Sequence, residues 1–258
     1  MNRNHLIEII ESISPSQTQE SWDNCGWQVK TGDGAIRRVL VALEITDAVI
    51  REAIEEGADL VLTHHPLIFG SLRQVSADDV TGRYLLQLIQ AGISVYACHT
   101  SFDKARGGNN DYLGQLLELE DIRPFDNDNG LCRKGDTPFE TTMLEIMQKA
   151  AEAFGVEQRH FRWVGDLSRD VHTVGWCTGA GSEFIKDAFA DGCDLYITGD
   201  LKYHEAQAAK EMGICVLDAG HYGSEKIFTE NMADLLRARC LDEDLEIMES
   251  VCDLNPFA

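Results

Sequence analysis

Gly57-Ala58-Asp59-Leu60-Val61-Leu62-Thr63-His64-His65 returns later in the chain as Gly192-Cys193-Asp194-Leu195-Tyr196-Ile197-Thr198-Gly199-Asp200. In each copy a glycine and an aspartate precede an apolar run that ends on threonine, the pattern of a short buried strand. Carried upstream without a gap, the overlay lays residues 39–65 on 174–200. Val39, Ile50 and Ala53 then meet Val174, Ile185 and Ala188, and Arg51 meets Lys186. Downstream, Gly92-Ile93-Ser94-Val95 matches Gly213-Ile214-Cys215-Val216. Each leads to a histidine followed four residues later by an acid, His99 to Asp103 and His221 to Glu225. Alternation of strand and amphipathic helix, used twice, predicts an α/β fold of duplicated repeats with mostly parallel strands.

Strands are expected at residues 39–43, 60–63, 93–98, 174–178, 195–198 and 214–217. Helical periodicity covers 47–55, 82–91, 111–119, 141–154, 183–190, 203–212 and 225–237. Residues 120–172 separate the copies, with Asp126-Asn127-Asp128-Asn129-Gly130 as their clearest loop signal. The repeats are expected to occupy residues 1–125 and 126–258, with no inserted domain.

The 258 residues include 44 acidic and 22 basic side chains, a formal charge of −22. That balance repels phosphate backbones and anionic lipid, so direct nucleic-acid binding through a basic face is not expected. Eight cysteines are scattered without a Cys-x-x-Cys pair, several inside apolar runs, as reduced core thiols would be. The opening residues lead into an amphipathic stretch with Glu8 and Glu11, without the unbroken apolar core of a signal peptide. No segment approaches the roughly 18 apolar residues of a membrane span. A cytoplasmic location is the expectation.

In open α/β sheets, ligands bind beyond the carboxyl ends of the strands. His64 and His65, then His99 and Asp103, then His221 and Glu225 all follow such ends. Pro66 biases His65 toward extended backbone and favours a turn there, so the two neighbouring imidazoles can leave in different directions and serve different ions. Imidazole with carboxylate and no thiolate suits zinc, iron, manganese, cobalt or nickel. Two such ions close together form a hydrolytic pair. Glu225 is expected in the first turn of a helix, with Ser224 available as its N-cap. His99 reads equally as a ligand, as a partner behind one, or as a proton carrier. Asp200 and His204 fall near the same strand ends, whereas His5, His160 and His172 read as surface or structural. Ser21-Trp22-Asp23-Asn24-Cys25-Gly26-Trp27-Gln28-Val29 is either a plain turn before a strand or a loop aiming Asp23 or Asn24 at the site.

These motifs resemble the Nif-three-like dinuclear-metal family, often labelled GTP cyclohydrolase I type 2 homologues. The residues that carry the resemblance are Asp23-Asn24-x-Gly26-x-Gln28-Val29, Thr63-His64-His65-Pro66, His99-x-x-x-Asp103 with Gly108-Asn109-Asn110, the stretch from Val174 to Gly181, Thr198-Gly199-Asp200 and Gly220-His221-x-x-x-Glu225. The resemblance implies two intertwined repeats with a metal cleft between them, a toroidal homohexamer and two divalent metal ions per subunit. His64 and Asp103 would hold one ion, His65 and His221 the other, and Glu225 would bridge them. It also implies a metal-dependent hydrolase acting on a nucleotide or related small molecule; on that reading His99 or a neighbouring acid is expected to move protons. Two other readings stand beside it. One is a non-catalytic metal-binding or metal-delivery protein or interaction scaffold, and the other a metal site that only stabilises the ring.

Overall fold

The structure, a computed structural model, describes residues 1–125 and 130–257. Positions 126–129 of the expected loop lie outside them. The chain divides into two compact units, Met1–Gly108 with Phe228–Ala258, and Asn109–Ile227. Its strands are β1 (Gly26–Val29), β2 (Arg38–Ala42), β3 (Leu60–Thr63), β4 (Ser94–Ala97), β5 (Glu120–Pro124), β6 (Arg133–Thr142), β7 (Arg162–Val164), β8 (Asp170–Ala180), β9 (Leu195–Gly199), β10 (Cys215–Asp218) and β11 (Glu246–Glu249). The first unit carries the sheet β1-β4-β3-β2-β11 and the second the sheet β5-β6-β8-β9-β10-β7. Both sheets are mixed. β2, β3 and β4 are parallel neighbours, as are β8, β9 and β10. An antiparallel strand closes each set, β1 on β4 and β7 on β10.

The duplication read from the sequence extends to individual hydrogen bonds. Val39 lies opposite Leu60 in the first sheet, and Val174 opposite Leu195 in the second. The Asp59 carboxylate accepts from the backbone N–H groups of Arg37 and Arg38, at 2.7 and 3.1 Å. Asp194 accepts in the same way from His172 and Thr173, at 2.9 and 3.1 Å. The repeated aspartate therefore satisfies donors at the start of the neighbouring strand that the ladder leaves over. The glycine two residues earlier ends the helix in left-handed backbone, with φ +64° at Gly57 and +80° at Gly192.

The central strands β8 to β10 of the second sheet are buried on both faces. Leu195, Ile197 and Leu217 join Trp176 and Phe154 in one core, while Tyr196 and Val216 pack with Ile185, Ala188 and Ala209 in another. Such two-sided burial is why these strands read as continuous apolar runs rather than alternating ones. In the first unit, Leu40, Val61 and Val95 form a core with Val49, Ile50 and Leu88 of the helices Asp47–Glu55 and Val80–Ala91.

The helices Asp47–Glu55 and Tyr203–Met212 have the predicted bounds. The predicted helix 225–237 does not form as one piece. It is two, His221–Glu225 and Phe228–Arg239, so Glu225 ends a short helix instead of opening a long one. Ser224 does not cap it: its hydroxyl donates to the carbonyls of Gly220 and His221 and accepts from Gly179 N–H at 2.9 Å. Residues 120–172 also contain the strands β5 to β7, which apolar alternation did not signal. The start of β6 buries Arg133 and Lys134, and these charges are paired with Asp111 at 2.5 Å and Asp191 at 2.8 Å. All eight cysteines are free thiols, six of them buried. Among the described residues no helix is long and apolar enough to cross a membrane.

Candidate metal centre

β3 stops at Thr63 because the backbone turns there. The N–H groups of His64 and His65 both donate to the Leu43 carbonyl, at 3.1 and 2.9 Å, and the Thr63 hydroxyl donates to the His65 carbonyl at 2.9 Å. His64 is fully buried, and its Nδ1 lies 2.9 Å from the Cys98 carbonyl. A carbonyl only accepts, so Nδ1 carries the proton and Nε2 is left with its lone pair. That Nε2 lies 3.7 Å from Oδ1 of Asp103, itself buried.

His99 reaches the same place from the end of β4. Its Nδ1 donates to Asp23 Oδ1 at 2.9 Å, which directs Nε2 away from the aspartate. Asp23 also accepts from the N–H and hydroxyl of Thr100 and from Asn24 N–H. Burial works to raise its pKa, but the hydrogen bond and charge of His99, with the bonds from Thr100 and Asn24, outweigh it. The carboxyl is held well below the usual carboxylate range. It is a carboxylate fixed in place behind an imidazole, which sets both tautomer and ring orientation. Ring nitrogens of His64, His65 and His99 all lie within 4.8 Å of one another.

The chemistry of this donor set fits a borderline divalent ion. It offers imidazole nitrogens with a buried carboxylate beside them, and two of the rings have their far nitrogens already committed. Cys25 Sγ accepts from the His99 N–H at 3.4 Å, and burial pushes its thiol up to about 11.

The second unit builds a matching pair. His221 Nδ1 donates to Asp200 Oδ2 at 2.8 Å, and its Nε2 lies 2.9 Å from Oε2 of Glu225. Glu225 is 3% exposed and sits at the carboxyl end of its short helix, where the helix dipole disfavours an anion. Dipole stabilisation therefore does not account for it. Gly179 makes room for this pair. A Cβ there would stand 1.9 Å from Glu225 Oε1 and 3.3 Å from His221 Nε2, and the residue's φ is +68°. At Gly199 a Cβ would meet the His221 backbone nitrogen at 2.6 Å. The end of β8 is tied down by Asn110, whose side chain accepts from Thr178 N–H at 3.0 Å and whose carbonyl accepts from Trp176 Nε1 at 2.8 Å.

Asp200 thus proves to be the partner of His221, while His204 packs edge-on against Tyr203, with ring centroids 5.3 Å apart. His5, His160 and His172 are exposed. Sequence reading missed Gly179 and Gly199 as site residues, although Thr178-Gly179-Ala180-Gly181 at a strand end was a usable signal of close backbone approach.

Residues 1–256 match the family described as Duf34/NIF3 (NGG1p interacting factor 3). The chain belongs to the DUF34/NIF3 family. Relatives in Clostridium perfringens and Streptococcus pneumoniae, both called GTP cyclohydrolase 1 type 2 homolog, are 37% and 34% identical to it, each across 100% of this chain and 99% of the relative. The crystal structure of a Bacillus cereus protein related to NIF3 superposes with a TM-score of 0.93 at 22% identity, covering 100% of this chain and 99% of that one, which shows the fold. Within this NIF3 fold, the histidine cluster of the first unit and the His221–Glu225 pair of the second both lie where parallel strands end.

Proposed function

We propose that this NIF3-family chain binds two divalent metal ions and hydrolyses a nucleotide or related heterocyclic small molecule. His64 and Asp103 hold one ion, His65 and His221 the other, and Glu225 is shared between them. The observation that carries the reading is the meeting of His64 and His65 nitrogens within 4.8 Å, with Nδ1 of His64 committed to Cys98 and its Nε2 3.7 Å from Asp103. The cyclohydrolase naming of the relatives supports the reaction class.

When bound, the ions supply Lewis-acid activation of water. The chain's own residues do the rest. Cys98 and Asp200 fix the tautomers of His64 and His221, and Asp23 does so for His99. With Nδ1 so held, His99 can accept or return a proton at Nε2, within reach of substrate bound beside His64 and His65. The same reading takes the protein to be a cytoplasmic, toroidal homohexamer.

Metal analysis of anaerobically purified protein tests the site. The unmodified chain should carry two equivalents, and a His64→Ala, Glu225→Ala double variant should lose both. Two equivalents retained in that variant would refute the assignment.

A further inference from the structure

Trp22 and Phe69 are each 59% exposed, yet they are not independent surface residues. Their rings stack on each other with centroids 6.1 Å apart and planes 28° apart. Both also meet His99 edge-on, each at 5.9 Å between centroids. They come from different loops, one before β1 and one after β3, and polar side chains hold those loops together. Asn24 Nδ2 donates to the Ile68 carbonyl at 2.8 Å, and Ile68 N–H donates to Gln28 Oε1 at 3.0 Å. The motif Asp23-Asn24-x-Gly26-x-Gln28 therefore has two jobs: Asp23 sets His99, while Asn24 and Gln28 pin the loop that carries Phe69. An apolar pair pinned open to water, one ring's length from the histidine cluster, is what a stacking surface for a ligand requires.

We propose that Trp22 and Phe69 form the platform on which a neutral planar nitrogen heterocycle, of purine or pterin type, stacks at this site. The occupant follows from charge as well as shape. A chain with 44 acidic and 22 basic residues opposes a polyanion away from its metal ions, so the platform itself recognises a ligand by its ring. Stacking on aromatic side chains is tolerant of which ring is presented, so the platform selects planarity, and the histidines beside it select the reacting position. The inference rests on the hydrolytic reading above and extends it to the substrate's ring.

The test is binding of guanosine to zinc-loaded protein, measured by calorimetry and by tryptophan fluorescence, with GTP and ribose 5-phosphate as comparators. Trp163→Phe serves as background for the fluorescence, because Trp163 is also exposed. Guanosine should bind saturably and quench, GTP should compete with it, and ribose 5-phosphate should not. Trp22→Ala and Phe69→Ala should each weaken guanosine about tenfold with zinc content unchanged. Trp22→Phe should retain most of the affinity. Absence of saturable guanosine binding, competition by ribose 5-phosphate, or unchanged affinity in both alanine variants would overturn the platform. Guanosine binding that depends on Trp22 but gives no turnover removes the hydrolase reading and leaves the platform. Turnover with a KM unmoved by Trp22→Ala does the reverse.

Discussion

Asp23 and Asp200 each take the Nδ1 proton of a histidine that stands four residues before an acid, at 2.9 and 2.8 Å, yet the two pairs should behave differently on substitution. With His221 a ligand and His99 a proton carrier, Asp200→Asn should weaken zinc binding roughly 10- to 100-fold. Asp23→Asn should leave zinc binding unchanged and slow turnover by about a hundredfold. Competition against a chromophoric chelator reads the first effect directly, and equal losses in both variants would make His99 a ligand. Gly179→Ala places a methyl against Glu225 in left-handed backbone, which should cost about 2 kcal/mol or more in urea unfolding and lower metal content. Gly223→Ala has nothing within 4 Å and should cost nothing. At this scale the ligand candidates were legible, because histidine and acid after an apolar strand have no packing reason to be there. Asp23 was ambiguous for a physical reason: its partner lies 76 residues away, and a Trp-Asp-Asn-Cys run has the composition of any turn.

The strand–helix–strand element was the most readable part of the molecule, since periodicity, the helix-ending glycine and the aspartate that follows are all local in sequence. Asp59 and Asp194 do the same work in the two copies, so Asp59→Ala and Asp194→Ala should each cost about 1 kcal/mol and by similar amounts in denaturant titrations. A large difference between them would mean that the duplicated hydrogen bonds are not energetically equivalent. The helix Met143–Phe154 opens with a capping box, in which Glu145 accepts from Thr142 N–H at 2.7 Å and Thr142 accepts in return from Glu145 N–H. The bonds its carboxylate accepts from the Thr142 N–H and, at 2.8 Å, from the Thr142 hydroxyl lower the Glu145 pKa from its ordinary 4.5. A depressed carboxyl stabilises the fold above that ordinary value and stops doing so as pH falls through its folded one. The stability difference between the unmodified chain and Glu145→Ala should therefore be full at pH 7 and shrink in acid. A difference that grows in acid would contradict the box. The break after Glu225 had no such local sign. Lys226 and Ile227 are ordinary helix residues, and the interruption follows packing: Ile227 joins the core around Trp176, whereas Phe228 packs on His64 and Phe102.

Across the whole molecule, the segment Phe228–Ala258 belongs with the first unit and contributes β11, parallel to β2. No residue pattern announces this return, because it is fixed by which sheet edge is open and not by the strand's own sequence. The proposed ion pair makes a related claim that only energetics can test. An ion that binds the folded chain and not the unfolded one raises the melting temperature in step with free metal concentration. If His65, His221 and Glu225 hold the same ion, that ion's share of the rise needs all three. His65→Ala should remove the second ion's contribution, Glu225→Ala should remove at least as much because it is shared with the first ion, and the double variant should be little worse than Glu225→Ala alone. The coupling energy of that cycle would then approach the size of one single effect. Additive losses would mean that the two residues serve separate ions, and a rise preserved in both single variants would mean that neither is a ligand.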